Sequence, residues 1–329
     1  MLDRPRLLTP ERLEEACRIV RAAMPETPSY AWPALEKALG VTVVVKHESH
    51  TPTGAFKVRG GLVLLDGLMR GKTPPKAIVS ATRGNHGQSL AFAAARHGLG
   101  CTIAVPVTNS PEKNAAMRAF GARVVEEGAD FDTAIGAARR IAEEDGAYFV
   151  PSFAEPLVAG VATYAVEFLR SHSDLETVYV PIGLGSGICG MIEARDALGL
   201  KTKIVGVVSE KADGYARSLE CGKLTATDSA ATFADGMAVR CPSEEALSII
   251  ARGAERLVRV SDTRIAEAMR LYFSAIHATA EGAGAAALAA LIDERAAMQG
   301  RQVGVVLSGQ NVDSSTFRDV LSGATPVAA

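Results

Sequence analysis

The chain has 329 residues, 48% hydrophobic and 22% charged, with a formal net charge of −2. This is the composition of a globular protein large enough for one big or two medium domains, and it offers no charge excess for nucleic acid or an anionic membrane surface. Its five cysteines (Cys17, Cys101, Cys189, Cys221 and Cys241) are odd in number and form no C-x-x-C pair, which argues against a disulfide framework and a zinc site and for a reducing, cytoplasmic setting.

The N-terminal "MLDRPRLLTPERLEEACRIV" holds no apolar run of signal-peptide length, and no segment approaches the roughly 20 apolar residues of a membrane span. Thr9-Pro10-Glu11 predicts a helix start: an N-cap, a proline at the first helical position and an acid in the first turn. Leu13, Ala16, Val20 and Ala23 follow at helical spacing. "VTVVVK" (41–46) is a β-branched run and predicts a buried strand. From there strands and helices alternate. "KAIVS" (76–80), "CTIAV" (101–105), "RVVEE" (123–127), "AYFV" (147–150), "TVYVPI" (177–182), "KTKIVGVVS" (201–209) and "QVGVVLS" (302–308) are the further strands. Ser110-Pro111 marks a second capped helix start. Short apolar strands separated by helices of roughly 10 to 15 residues mean parallel sheets covered on both faces. About seven or eight strands predict an α/β protein of two lobes, each an open, mostly parallel twisted sheet flanked by helices. The C-terminal "SGATPVAA" has the composition of a frayed end, and with no further domain after residue 329 no C-terminal feedback control is expected.

Ligands of parallel α/β sheets bind at the loops leaving the carboxyl ends of the strands. "TGAFKVRGG" (53–61) sets an amine, Lys57, among small residues. It is either an ordinary lysine after a turn or the Schiff-base partner of a carbonyl cofactor. "GLGSGICG" (183–190) follows a strand and opens a helix, so its backbone N–H groups and the helix dipole suit a phosphate. Gly185, Gly187 and Gly190 also satisfy G-x-G-x-x-G, with Glu210 about 20 residues on, which keeps a nicotinamide-dependent oxidoreductase open. In "ATRGNHGQS" (81–89), Asn85 offers a flat amide, the N–H groups of residues 84–87 can hold a carboxylate, and His86 is either a structural histidine or a base. Ser308 closes the last strand, where it can donate to a ring nitrogen. Glu281, before the alanine-rich "GAGAAALAA", either complements the helix dipole or belongs to a site.

The ordered set "TGAFKVRGG", "RGNHGQ", the glycine loop, "ADGMAV", "EGAGAAALAAL" and "LSGQN" resembles, over essentially the whole chain, the serine/threonine dehydratases of fold-type II, which use pyridoxal 5′-phosphate. Serine racemase and 3-hydroxyaspartate dehydratase are similar to the same pattern. The resemblance implies that Lys57 carries the cofactor as a Schiff base and then takes the α-proton. It implies that the small residues around Lys57 let the flat ring approach the backbone and that Phe56 packs near that ring. It further implies that Asn85 binds the ring hydroxyl, Gly183, Leu184, Gly185, Ser186 and Gly187 hold the phosphate, and Ser308 faces the ring nitrogen. The substrate is then expected among Thr82, Arg83, Gly84, His86 and Gly236. The implied reaction is β-elimination of a β-hydroxy amino acid such as threonine or serine to a 2-oxo acid and ammonia. A larger or acidic substrate (phenylserine, 3-hydroxyaspartate) and racemisation are the alternatives. The implied assembly is a homo-oligomer, a dimer, of a large domain (1–62 and 152–329) and a small mobile one (63–151).

The chain departs from that family at several positions. Ala55 stands where a serine is usual, and the loop is "GLGS" where many members have four glycines. Arg83 replaces a small residue that is serine in the racemases; with a pKa above about 12 it is no ready acid, which weakens the racemase reading and sets a cation beside the expected substrate. The positions that ligate a divalent cation in some relatives correspond to Val208 and Gly214, with Glu210 and Asp213 out of register, so no metal is expected.

Overall fold

The computed structural model describes residues 6–328. Its strands are β1 (Ser29–Ala31), β2 (Thr42–His47), β3 (Ala77–Ala81), β4 (Gly100–Val105), β5 (Arg123–Glu126), β6 (Tyr148–Phe149), β7 (Thr177–Pro181), β8 (Lys203–Ser209), β9 (Arg256–Val260) and β10 (Gln302–Leu307). They form a six-stranded sheet in the order β1-β2-β10-β7-β8-β9 and a four-stranded sheet in the order β5-β4-β3-β6. Only β1 runs antiparallel to its neighbour; the remaining described pairs are parallel.

All eight strand-forming runs of the sequence are strands here, and two further strands had escaped the pattern. β1 has three residues, pairs along one edge and leaves Tyr30 exposed, too short to show a period. β9 is "RLVRV", an edge strand whose arginines interrupt the apolar run and whose residues are mostly half-buried. The two capped helix starts are formed as expected. Thr9 accepts from the Arg12 N–H at 3.2 Å, and Ser110 accepts from the Lys113 N–H at 3.1 Å.

The sheet order decides where chemistry can occur. β2, β10 and β7 are adjacent and parallel, so the segments that leave their carboxyl ends emerge side by side. Those segments carry Lys57, Ser308 and the loop 183–187. Ala55 bridges to Gly309, and the Phe56 N–H donates to the Ser308 carbonyl at 3.0 Å, which stitches the lysine loop to the end of β10.

The glycines after Lys57 have a different use from the one the resemblance implies. A Cβ on Gly60 would lie 2.9 Å from the Leu157 carbonyl oxygen, and one on Gly61 would overlap Ser89. They let helix Lys57–Arg70 pack against helices Glu155–Ser171 and Asn85–Arg96, rather than make room for a flat ring. Helix Glu155–Ser171 is buried continuously from Leu157 to Leu169. Helix Gly282–Glu294 is buried from Gly282 to Ile292, its alanines allowing close approach to the sheet.

Candidate active site

Lys57 is the first residue of its helix, and its Nζ lies 2.9 Å from Ser186 Oγ. The two come from segments 129 residues apart in sequence, joined because β2 and β7 flank β10. Nζ also lies 5.1 Å from the centre of the Phe56 ring. Loss of solvent lowers the lysine to about 8. The amine is therefore close to its neutral, nucleophilic form at mildly alkaline pH. Gly60, His86, Ser152, Leu157, Val161 and Ser186 line a small cavity with it.

Ser186 opens helix Ser186–Ala197, and Gly185 before it has φ of 104°, a conformation that excludes most side chains. A Cβ on Gly183 would overlap the Gly236 carbonyl, so Gly183 brings the loop against residue 236. The Leu184 carbonyl accepts from the Tyr215 hydroxyl at 2.8 Å, and that hydroxyl accepts from the Ser243 N–H at 3.0 Å, which fixes the turn. The helix has no side-chain cap and no acid in its first turn. Helix Asn85–Arg96, preceded by Gly84, shares both properties. Two helix N-termini with uncapped N–H groups suit two anions.

Asn85 is held at both ends of its amide. Nδ2 donates to Glu281 Oε1 at 2.7 Å, while Oδ1 accepts from Asn311 Nδ2 at 2.8 Å. Asn311 Nδ2 also donates to the Thr53 carbonyl at 2.8 Å. Glu281 is 3% exposed, and its Oε2 has no partner. Burial pushes this carboxyl up to about 7, with the Lys113 ammonium acting against the shift and Asp235 adding to it. Lys113 pairs with Asp235, and its aliphatic stem lies against Gly84. Asn311, Lys113 and Asp235 were not singled out from the sequence. Asn311 lies inside the quoted "LSGQN" and Asp235 inside "ADGMAV", so each had a signal; Lys113 had none.

His86 is buried with Nε2 unpartnered, and desolvation, helped by the Lys57 charge, lowers it to about 3. It is a neutral imidazole across the physiological range and a poor base, against the catalytic alternative raised for it. Thr82 Oγ1 accepts from the Gly84 N–H at 3.1 Å and shapes the loop. Arg83 is exposed, with its charge felt at Asp130. Gly236 is exposed beside Gly183. Ser308 is buried, with Oγ 3.5 Å from the Ala283 carbonyl. Asp213 is occupied by Arg217 at 2.6 Å and Arg259 at 2.9 Å, and Glu210 is exposed.

A desolvated lysine amine at an uncapped glycine-rich helix start, with an unpartnered buried carboxyl oxygen at the neighbouring asparagine, is a donor set that fits pyridoxal phosphate: an amine for its carbonyl and N–H groups for its phosphate. Comparison with known proteins agrees. Residues 20–309 match the family described as pyridoxal-phosphate dependent enzyme. The chain is 36% identical over 284 residues to an L-threonine ammonia-lyase of Geobacter sulfurreducens, covering 86% of this chain and 70% of that one. It is 34% identical over 298 residues to a phenylserine dehydratase of Ralstonia pickettii, covering 88% and 89%. The processed form of threonine deaminase isoform 2 from Solanum lycopersicum superposes with a TM-score of 0.88 at 27% identity, covering 99% of this chain and 97% of that one. The family match sets aside the nicotinamide-dependent oxidoreductase that the glycine pattern 185–190 had left open. The chain belongs to the pyridoxal-phosphate dependent enzymes.

Proposed function

We propose that the protein is a β-hydroxy amino acid ammonia-lyase, with threonine or serine as substrate and a 2-oxo acid and ammonia as products. The observation that carries the reading is the Lys57 amine, desolvated and set against Ser186 at the uncapped helix start. When bound, pyridoxal phosphate supplies an electron sink for charge developing at the substrate α-carbon. Lys57 holds the cofactor through Nζ and, once free and neutral, takes the α-proton there. The N–H groups of residues 185–187 hold the phosphate, and those of residues 84–87 hold the substrate carboxylate. Asn85 orients the ring through its amide. Ser308, a neutral hydroxyl, would meet the ring nitrogen without supplying a charge partner, which would favour elimination over transamination.

Phenylserine is the second substrate reading, favoured by the resemblance to the Ralstonia pickettii enzyme. Ammonia and 2-oxo acid formed from threonine, serine, 3-hydroxyaspartate and phenylserine test both readings. The proposal fails if the yellow holoprotein releases no 2-oxo acid from any of the four. Because Arg83 is exposed, Arg83→Ala is expected to leave the order of kcat/KM across this panel unchanged. A tenfold change for one substrate alone, about 1.4 kcal/mol, would bring the guanidinium into the site.

Ser308→Asp is expected to shift the visible absorbance of the holoprotein and to raise side reactions relative to elimination, because the new carboxylate would favour a protonated ring nitrogen. An unchanged spectrum together with an unchanged product ratio would remove Ser308 from that position.

The same reading takes residues 63–151 as a small mobile domain that closes on the rest. Its support is the separate sheet β3–β6; the polar ties that cross to the other side include Lys113 to Asp235, Ser110 to Asp313, Glu112 to the Ser314 N–H, Asn85 to Glu281 and Asn311, and Ser89 to the Lys57 carbonyl. A cytoplasmic homodimer completes the proposal. Among the described residues no helix is long and apolar enough to cross a membrane. The dimer rests on the family resemblance, and sedimentation of the holoprotein reads it directly.

A further inference from the structure

Glu281 stands at the start of helix Gly282–Glu294, yet its side chain makes no capping bond there. Complementing the helix dipole therefore does not account for its burial. Its carboxylate is turned instead to Asn85, with Oε1 accepting from Nδ2 at 2.7 Å and Oε2 left unpartnered. The opposite end of the same amide accepts from Asn311, which is anchored on the Thr53 carbonyl.

This chain allows only one orientation of Asn85. Turning the amide over would set Nδ2 against the Asn311 donor and Oδ1 against the Glu281 carboxylate, a donor facing a donor and an acceptor facing an acceptor. In the orientation present, one N–H of Nδ2 is used by Glu281 and the second remains for a ligand oxygen. We propose that Glu281 is a positioning residue: acting through Asn85, it fixes which edge of the amide meets the cofactor and couples the electronic state of the bound cofactor to its own charge. The inference rests on the proposed contact between Asn85 and the cofactor.

The charged groups around Glu281 come from three elements. Lys113 lies on helix Pro111–Ala119, Asp235 on the turn Asp235–Met237, and Asp313, which also acts on Lys113, precedes helix Ser314–Leu321. Full burial, opposed by the Lys113 ammonium and reinforced by Asp235, makes Glu281 titrate at about 7 instead of 4.5. The folded protein then holds a proton that the unfolded chain has released. The resulting stability is complete below about 4.5 and is lost as pH rises through about 7.

The test uses the holoprotein and its visible spectrum. Wild type should show a transition with a midpoint near pH 7. Glu281→Gln keeps an acceptor oxygen for Asn85 but no charge; it should bind the cofactor and lose that transition. Glu281→Ala should also lose it and bind pyridoxal phosphate roughly tenfold more weakly, the equivalent of about 1.4 kcal/mol, because one end of the Asn85 amide is released. In the apoprotein, Glu281→Gln should flatten the fall of melting temperature between pH 5 and 7, locating the titration without any cofactor. Asn85→Ala separates the two levels. If it leaves spectrum and cofactor affinity untouched, the Asn85 contact is wrong and the inference falls with it. If it changes them while Glu281→Gln still titrates as wild type, the contact stands and the role of Glu281 is refuted.

Discussion

Replacing Lys57 with alanine is expected to lower kcat/KM for the best substrate by at least about 10³-fold, and to abolish fixation of the cofactor to the protein by borohydride. The magnitude follows from the absence of a substitute. His86, in the same cavity, is held near 3 by burial and cannot accept the α-proton effectively. Ser186, 2.9 Å from Nζ, offers only a hydroxyl. Lys57→Arg should fail as completely, because a guanidinium keeps its proton and cannot act as the nucleophile. In the apoprotein the reaction of Lys57 with pyridoxal phosphate should accelerate with pH around a midpoint near 8, the neutral amine being the reactive form. Mass analysis of the reduced protein locates the label. A label on another lysine, or activity in Lys57→Ala within tenfold of wild type, would move the catalytic amine elsewhere.

Lys57 stands out as a candidate because its signal is local: an amine in a small-residue stretch, followed in order by an asparagine loop and a glycine loop. The same holds for the strands, since β-branched runs such as "VTVVVK" and "QVGVVLS" are buried between neighbours on both sides. What was not legible depends on distance in sequence. Asp235 meets Lys113 across 122 residues, and Asn311 meets Asn85 across 226; no spacing rule announces either contact. Gly60 and Gly61 show a subtler difficulty. Small residues beside a candidate lysine suggest room for a ligand, but a missing Cβ records only that something comes close, and here it is Leu157 and Ser89. Glu281 was visible as a lone acid before an alanine-rich helix. Whether it capped that helix or joined the site depended on its side-chain direction, which tertiary packing decides.

The largest loss of stability from a single change is expected at Arg59, two residues beyond Lys57 on the same helix. Arg59 is fully buried with Glu48, Lys46 and Glu167, which are 0%, 1% and 9% exposed. Its Nε and Nη2 grip Glu48 at 2.7 and 3.0 Å, and its Nη1 and Nη2 grip Glu167 at 2.8 Å each. Thr163 and Thr27 accept from the same guanidinium at 3.0 and 3.2 Å, and Lys46 closes the cluster on Glu167 at 2.8 Å. Two cations balance two anions, so the cluster tolerates burial only while complete. Arg59→Met fills a similar volume but leaves two carboxylates facing one lysine out of water, which should cost about 3–5 kcal/mol in urea unfolding at neutral pH. The loss should shrink as pH falls, because protonation of the stranded carboxylate removes the uncompensated charge. Arg59→Lys should rescue little, since an ammonium cannot grip two carboxylates as a fork. By contrast, Arg140→Ala, which breaks the exposed pairs with Glu144 and Glu127, should leave the unfolding midpoint close to that of wild type. The cluster joins the start of the Lys57 helix to β2, to the turn Glu48–His50 and to helix Glu155–Ser171, so Arg59→Met should also weaken cofactor binding where the protein still folds. A loss below about 1 kcal/mol would mean that the carboxylates find water or each other's protons, and that this buried network does not hold the lysine in place.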